Sequence, residues 1–62
     1  MSKKEISDAY EVSLDTFYTW LIRARLIGDG CLFTEDVYKK IRIFTPLEVE
    51  NIYHAIGEPP ND

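Results

Sequence analysis

KKEISDAYEVSLDTFYTWLIRARL, residues 3–26, is the stretch that decides the fold. It reads as a helix, a tight turn and a second helix. Ser2 with Glu5 three positions on forms a capping box, and Met1 is placed to staple onto Ile6, so the first helix has a defined start. Its inner face is Ile6, Ala9 and Tyr10, and it is expected to end near Tyr10 or Glu11. Val12 then points inward from the turn and Ser13 caps the second helix, with Val12 and Phe17 as a second staple. So short a connection makes the two helices cross steeply instead of lying antiparallel. Over residues 14–26, Leu14, Phe17, Trp20, Leu21 and Ala24 share one arc at 3.6 residues per turn, the face expected to be buried. Asp15, Tyr18, Thr19, Ile22 and Arg23 share the opposite arc.

Working outward, Ile27-Gly28-Asp29-Gly30 breaks the pattern, with Gly28 suited to cap the second helix and the Asp-Gly pair to a turn. Cys31-Leu32-Phe33 with Leu26-Ile27 allows at most a vestigial β-hairpin near residues 26–33. Thr34, followed by Glu35 and Asp36, starts a short helix to about Ile41 or Arg42 that buries Val37, Tyr38 and Ile41. Lys39, Lys40 and Arg42 fit that helix's C-terminal dipole, a reading preferred to a phosphate clamp. Thr45-Pro46-Leu47-Glu48 combines an N-cap, a proline at the first helical position and a capping-box glutamate, with Phe44 and Val49 as staple. Val49, Ile52, Tyr53 and Ile56 follow i, i+3, i+4, i+7, and Gly57 ends that helix. The expectation is an all-α, compact three- to four-helix domain over residues 1–57, with 58–62 as a polar, proline-stiffened tail.

Composition narrows the function classes. A chain of 62 residues is one domain of marginal stability, and 45% hydrophobic residues argue against disorder. No apolar run is long enough to span a bilayer and no signal-peptide pattern is present, so a soluble, cytoplasmic protein is expected. A single cysteine, Cys31, and a single histidine, His54, make neither a disulfide nor a zinc set, so no metal and no cofactor are expected. The same scarcity leaves no nucleophile and base to pair, and there is no Gly-rich phosphate loop, so the chain is not expected to be an enzyme. Eleven acidic residues against seven basic give a net charge of -4, an objection to nucleic-acid binding because phosphate contacts normally supply most of the affinity. Segregation weakens the objection. Lys3 and Lys4 open the first helix, Arg23 and Arg25 close the second, and Lys39, Lys40 and Arg42 cluster, while Glu48, Glu50, Glu58 and Asp62 gather toward the C-terminus.

A helix with a packed back and a mixed polar front suits the DNA major groove, where base edges are read by short polar, aromatic and Arg side chains. Ile6, Tyr10, Val12, Phe17 and Trp20 fall where the helix-turn-helix motif packs; Ser7 stands where that family usually has alanine, and Glu11 where it has the turn glycine. Lys3-Lys4-Glu5-Ile6, Tyr10-Glu11-Val12-Ser13 and Thr16-Phe17-Tyr18-Thr19-Trp20-Leu21 resemble the opening of small helix-turn-helix proteins of the excisionase and MerR-like type. Within that group the chain is most similar to short proteins of Bacteroidetes-type mobile elements. Those also close on an aromatic residue, Thr-Pro, a valine-centred helix and a Leu-Gly or Ile-Gly pair, as Phe44-Thr45-Pro46-Leu47-Glu48-Val49 and Ile56-Gly57-Glu58-Pro59 do. A winged member would need a clear hairpin after the second helix, which residues 27–33 barely allow.

The resemblance implies sequence-specific binding of double-stranded DNA, as a transcriptional regulator or an excisionase-like recombination accessory factor. Ser13, Asp15, Tyr18, Thr19, Ile22 and Arg23 would face bases, with Lys3, Lys4 and Arg25 toward phosphates. Asp15 would repel phosphate, although a carboxylate accepts from cytosine N4; its simpler role is to complement the helix dipole. One copy presents little surface, so tight binding calls for a homodimer, repeated sites or a protein partner such as a recombinase. The alternative is an acidic protein-interaction module that keeps the fold without DNA binding, docking a partner helix at Ile22 and Leu26.

Overall fold

The computed structural model describes residues 1–60; Asn61 and Asp62, the end of the expected tail, lie outside the described residues. Four helices follow one another, α1 (Lys3–Ala9), α2 (Leu14–Arg23), α3 (Glu35–Lys40) and α4 (Pro46–Ile56), giving a small all-α domain. Every start is a side-chain cap. Ser2, Ser13, Thr34 and Thr45 each accept a backbone N–H three residues on, and Glu5 and Glu48 complete capping boxes at α1 and α4. The Ser2 N–H holds the Glu5 carboxyl below its ordinary range.

The ends of α1 and α2 are built alike, and the second differs from expectation. Around Glu11 (φ 59°) the Glu11 N–H donates to the Asp8 carbonyl at 2.9 Å and the Val12 N–H to that of Ser7 at 3.1 Å. Around Arg25 (φ 60°) the Arg25 N–H donates to Ile22 at 3.0 Å and the Leu26 N–H to Leu21 at 2.9 Å. Both are Schellman motifs with a charged residue in the left-handed position that glycine usually fills. The helix expected over 14–26 therefore stops at Arg23, Gly28 does not cap it, and Arg25 lies beyond its end. The early stop folds Leu26 back against the core, as the first motif does Val12.

A left-handed conformation costs an L-residue roughly 1–2 kcal/mol, of which glycine's extra chain entropy would return about 0.5–1. Glu11→Gly is thus expected to stabilise the domain by about 0.5–1 kcal/mol, read as a higher urea midpoint at unchanged slope. A lower midpoint would mean that the Glu11 side chain, and not the backbone, holds the turn.

α2 is the centre of the packing, meeting α1 on one side and α4 on the other. The core is Ile6, Tyr10, Phe17, Leu21, Ile27, Phe33, Tyr38, Phe44 and Ile52, with Val49, Tyr53 and Ile56 of α4 packed against it as their spacing predicts. Two expected core positions are exposed instead, and a third packs at the core's edge. Leu14 is 47% exposed: it is the first residue of α2, and a helical side chain leans toward the N-terminus, past the start of the rod. Val37 is 48% exposed, leaving Tyr38 as the one buried side chain of α3. Trp20 is half-buried, its ring edge-on to Tyr10 at 5.9 Å. Ser7 is buried where an alanine would be usual, and its hydroxyl donates to the Lys4 carbonyl at 3.0 Å, so it needs no further partner.

Two non-local closures complete the domain. In place of a hairpin, residues 27 and 33 form a single parallel bridge: the Gly28 N–H donates to Phe33 at 2.8 Å and the Phe33 N–H to Leu26 at 2.9 Å. The intervening loop buries Ile27 and Phe33 and offers no wing. The chain start then pairs antiparallel with the segment before α4. Ser2 bridges Ile43, the Phe44 N–H donates to Met1 at 2.7 Å, and the Lys3 N–H to Arg42 at 3.4 Å. At the far end the Tyr10 hydroxyl donates to the Gly57 carbonyl, tying α1 to the end of α4. Burial pushes the Tyr10 phenol up to about 12, with Tyr53 and Glu58 adding to the rise.

Candidate nucleic-acid interface

The buried stripe of α2, Phe17 and Leu21, fixes which residues face out. Opposite that stripe lie Asp15, Thr16, Thr19, Ile22 and Arg23, all exposed. Thr19 sits at the middle of this front, its hydroxyl donating to the Asp15 carbonyl at 3.1 Å. Thr16 belongs to this front as well, whereas Tyr18, expected there, lies outside it.

Tyr18 instead stands on the flank beside α3. Its hydroxyl donates to Glu35 Oε1 at 2.7 Å and its ring lies against Tyr38 at 5.4 Å. The bond to the carboxylate holds the Tyr18 phenol above its ordinary range, with burial and the Glu35 charge adding to it. The side chain is tied at both ring and hydroxyl, and so braces the two helices. Nothing in the spacing of residues 18 and 35 signals this contact, because it depends on how the 24–34 connection turns back.

The remaining expected contacts scatter. Ser13 is occupied as the N-cap, its Oγ accepting the Thr16 N–H at 3.2 Å and donating to Thr16 Oγ1 at 3.1 Å. Lys4 is exposed and pairs with Asp8 at 3.6 Å, a surface pair of little energetic weight. Arg25 is exposed but lies past the helix end, held by its own left-handed backbone. Lys3 is half-buried, with Nζ 4.1 Å above the Tyr38 ring centroid, and burial draws its ammonium below the ordinary lysine range.

Two grooves open at opposite ends of the flank where α2 meets α3. At the N-terminal end of α2, a groove of about 260 Å³ is lined by Lys3, Leu14, Asp15, Tyr18, Tyr38 and Lys39. It brings together a lysine from α1 and one from α3 over an apolar, aromatic floor. Toward the C-terminal end, a groove of about 410 Å³ is lined by Ile22 and Ile27 together with Asp29, Glu35 and Asp36. Those carboxylates do not converge on a metal-binding cluster among the described residues. The flank of α2 beside α3 is therefore electrically lopsided, with Lys3 and Lys39 near the start of α2 and Asp29, Glu35 and Asp36 near its end.

No family model, curated protein or solved structure matches the chain. No helix among the described residues is long and apolar enough to cross a membrane.

Proposed function

We propose that the protein binds double-stranded DNA, with α2 as the reading helix in the major groove, acting as a transcriptional regulator or recombination accessory factor in the cytoplasm. One observation carries this reading. α2 follows α1 through a single left-handed turn at Glu11, its back is sealed at Phe17 and Leu21, and its front presents Asp15, Thr16, Thr19, Ile22 and Arg23 on a rigid, capped rod. Short polar side chains with one guanidinium suit base edges, while the lysines around the start of the helix suit phosphates. The ten residues of α2 present a small surface, so a homodimer or a partner such as a recombinase would supply the rest of the affinity.

The acidic groove supports a second reading. Ile22 is 42% exposed beside Asp29, Glu35 and Asp36, which is the chemistry of a protein-interaction face for a basic, apolar-anchored segment.

Fluorescence anisotropy with a labelled random duplex at about 50 and about 200 mM salt separates the two. Binding that falls steeply with salt is expected. On a preferred site selected from a duplex library, Arg23→Ala, at an exposed site, is expected to weaken binding on the order of tenfold with the melting midpoint unchanged, the scale of losing one guanidinium contact to a base. No binding at the lower salt would transfer the assignment to a protein partner, and unchanged affinity of folded Arg23→Ala for the selected site would remove α2 as the reader.

A further inference from the structure

The two grooves beside α2 have opposite charge, and a duplex is a polyanion, so they do not serve it equally. We infer that the DNA backbone seats in the groove between Lys3 and Lys39, so that one strand passes on the α3 side of the start of α2 and away from the carboxylates near its end. The inference rests on the proposed DNA binding and adds to it the side on which the strand lies.

Three features of this groove point to a phosphate backbone as its occupant. Lys3 does not wave in solvent: its ammonium is held 4.1 Å over the Tyr38 ring, and its backbone is fixed by the Lys3 N–H to Arg42 bond. A cation positioned in advance loses less conformational entropy when it meets an anion. Lys39 comes from the last turn of α3 and supplies a second cation to the same groove. The floor between them, Leu14, Tyr18 and Tyr38, is apolar and matches the deoxyribose faces that flank each phosphate. Against these stands one carboxylate, Asp15, leaving the groove net positive in a chain whose total is -4. The other groove carries Asp29, Glu35 and Asp36 with no lysine or arginine in its lining, and it repels the same strand.

Lys39 is thereby assigned a phosphate contact in addition to its place at the C-terminal end of the α3 dipole. Lys40, its neighbour, is exposed but outside the groove, which makes it the natural control.

The test measures the slope of log affinity against log salt on the random duplex for wild type, Lys39→Ala, Lys40→Ala and Asp15→Asn, each checked for an unchanged fold by its thermal midpoint. One phosphate contact is worth about 0.9 in that slope. Lys39→Ala is expected to flatten it by about that amount and Lys40→Ala by less than half as much. Asp15→Asn, which removes the carboxylate from the groove, is expected to raise affinity severalfold. Equal effects of the two lysine variants, or an unchanged slope in Lys39→Ala with wild type still binding, would overturn the groove and leave the DNA-binding reading standing. A wild-type protein that binds no duplex would overturn both.

Discussion

Phe17→Ala is expected to unfold the domain or leave it at the edge of folding, with a loss of about 3–5 kcal/mol. The ring is fully buried, it stacks against Tyr10 at 5.9 Å, and it sits on the helix that packs against both α1 and α4. No neighbour can collapse into its place without moving one of those helices, so most of the cavity term persists. For a chain of this length the total stability is roughly 3–9 kcal/mol at 0.05–0.15 per residue, which the loss largely consumes. Urea titration followed by circular dichroism measures it, with Phe17→Leu as a milder companion that should keep a cooperative transition. Cooperative unfolding of Phe17→Ala within about 0.5 kcal/mol of wild type would mean that the sealed back of α2 is misassigned, and with it the front. Trp20 gives a useful contrast: half-buried and edge-on to Tyr10, it has more room to be replaced and should cost less.

The second large loss is expected at Phe44, again about 3–5 kcal/mol on truncation to alanine. Its sequence role is modest, a staple onto Val49 before α4. In the structure it is 1% exposed and joins an aromatic run, with Phe33 at 5.7 Å and Tyr38 at 6.2 Å. It also lies at the antiparallel closure, where its N–H and carbonyl both meet Met1. Removing the ring loosens the seat of Tyr38, over which Lys3 is held. Phe44→Ala should therefore lower stability and also raise the exposure of the first residues, seen as faster amide exchange at Lys3 and Phe44. A large loss of stability with protection at those amides scaling only with global unfolding would show that the closure stands independently of the ring.

These two sites differ in how far they could be seen in advance. Phe17 was legible: it follows Ser13 at the fourth helical position, pairs with Val12 as a staple, and repeats with Leu21 at helical spacing. Phe44 was legible only as a flanking residue, because its partners Phe33, Tyr38 and Met1 belong to other segments. The same division runs through the candidate interface. Asp15, Thr19, Ile22 and Arg23 were placed on the outer face by periodicity alone, and they are exposed. The outer arc also takes in Tyr18, but the α3 flank holds it through Glu35 and Tyr38. Spacing gives Lys39 only the role of a dipole partner in its own helix, since its place in one groove with Lys3 requires the chain start to return to the end of α3.

What the sequence alone determined is what local chemistry determines. Helical hydrogen bonds span four residues and caps span three, so Ser2, Ser13, Thr34 and Thr45, with Glu5, Pro46 and Glu48, announce where each helix begins. The tertiary structure alone decided where α2 stops, that Leu14 lies outside the core, that the 27–33 loop closes by one parallel bridge, and that Met1 meets Phe44 across 43 positions. Those closures use backbone N–H and carbonyl groups that nearly every residue carries, and left-handed turns at Glu11 and Arg25 that their side chains do not favour. Neither leaves a mark in the order of residues. Both are held by the burial of the side chains around them.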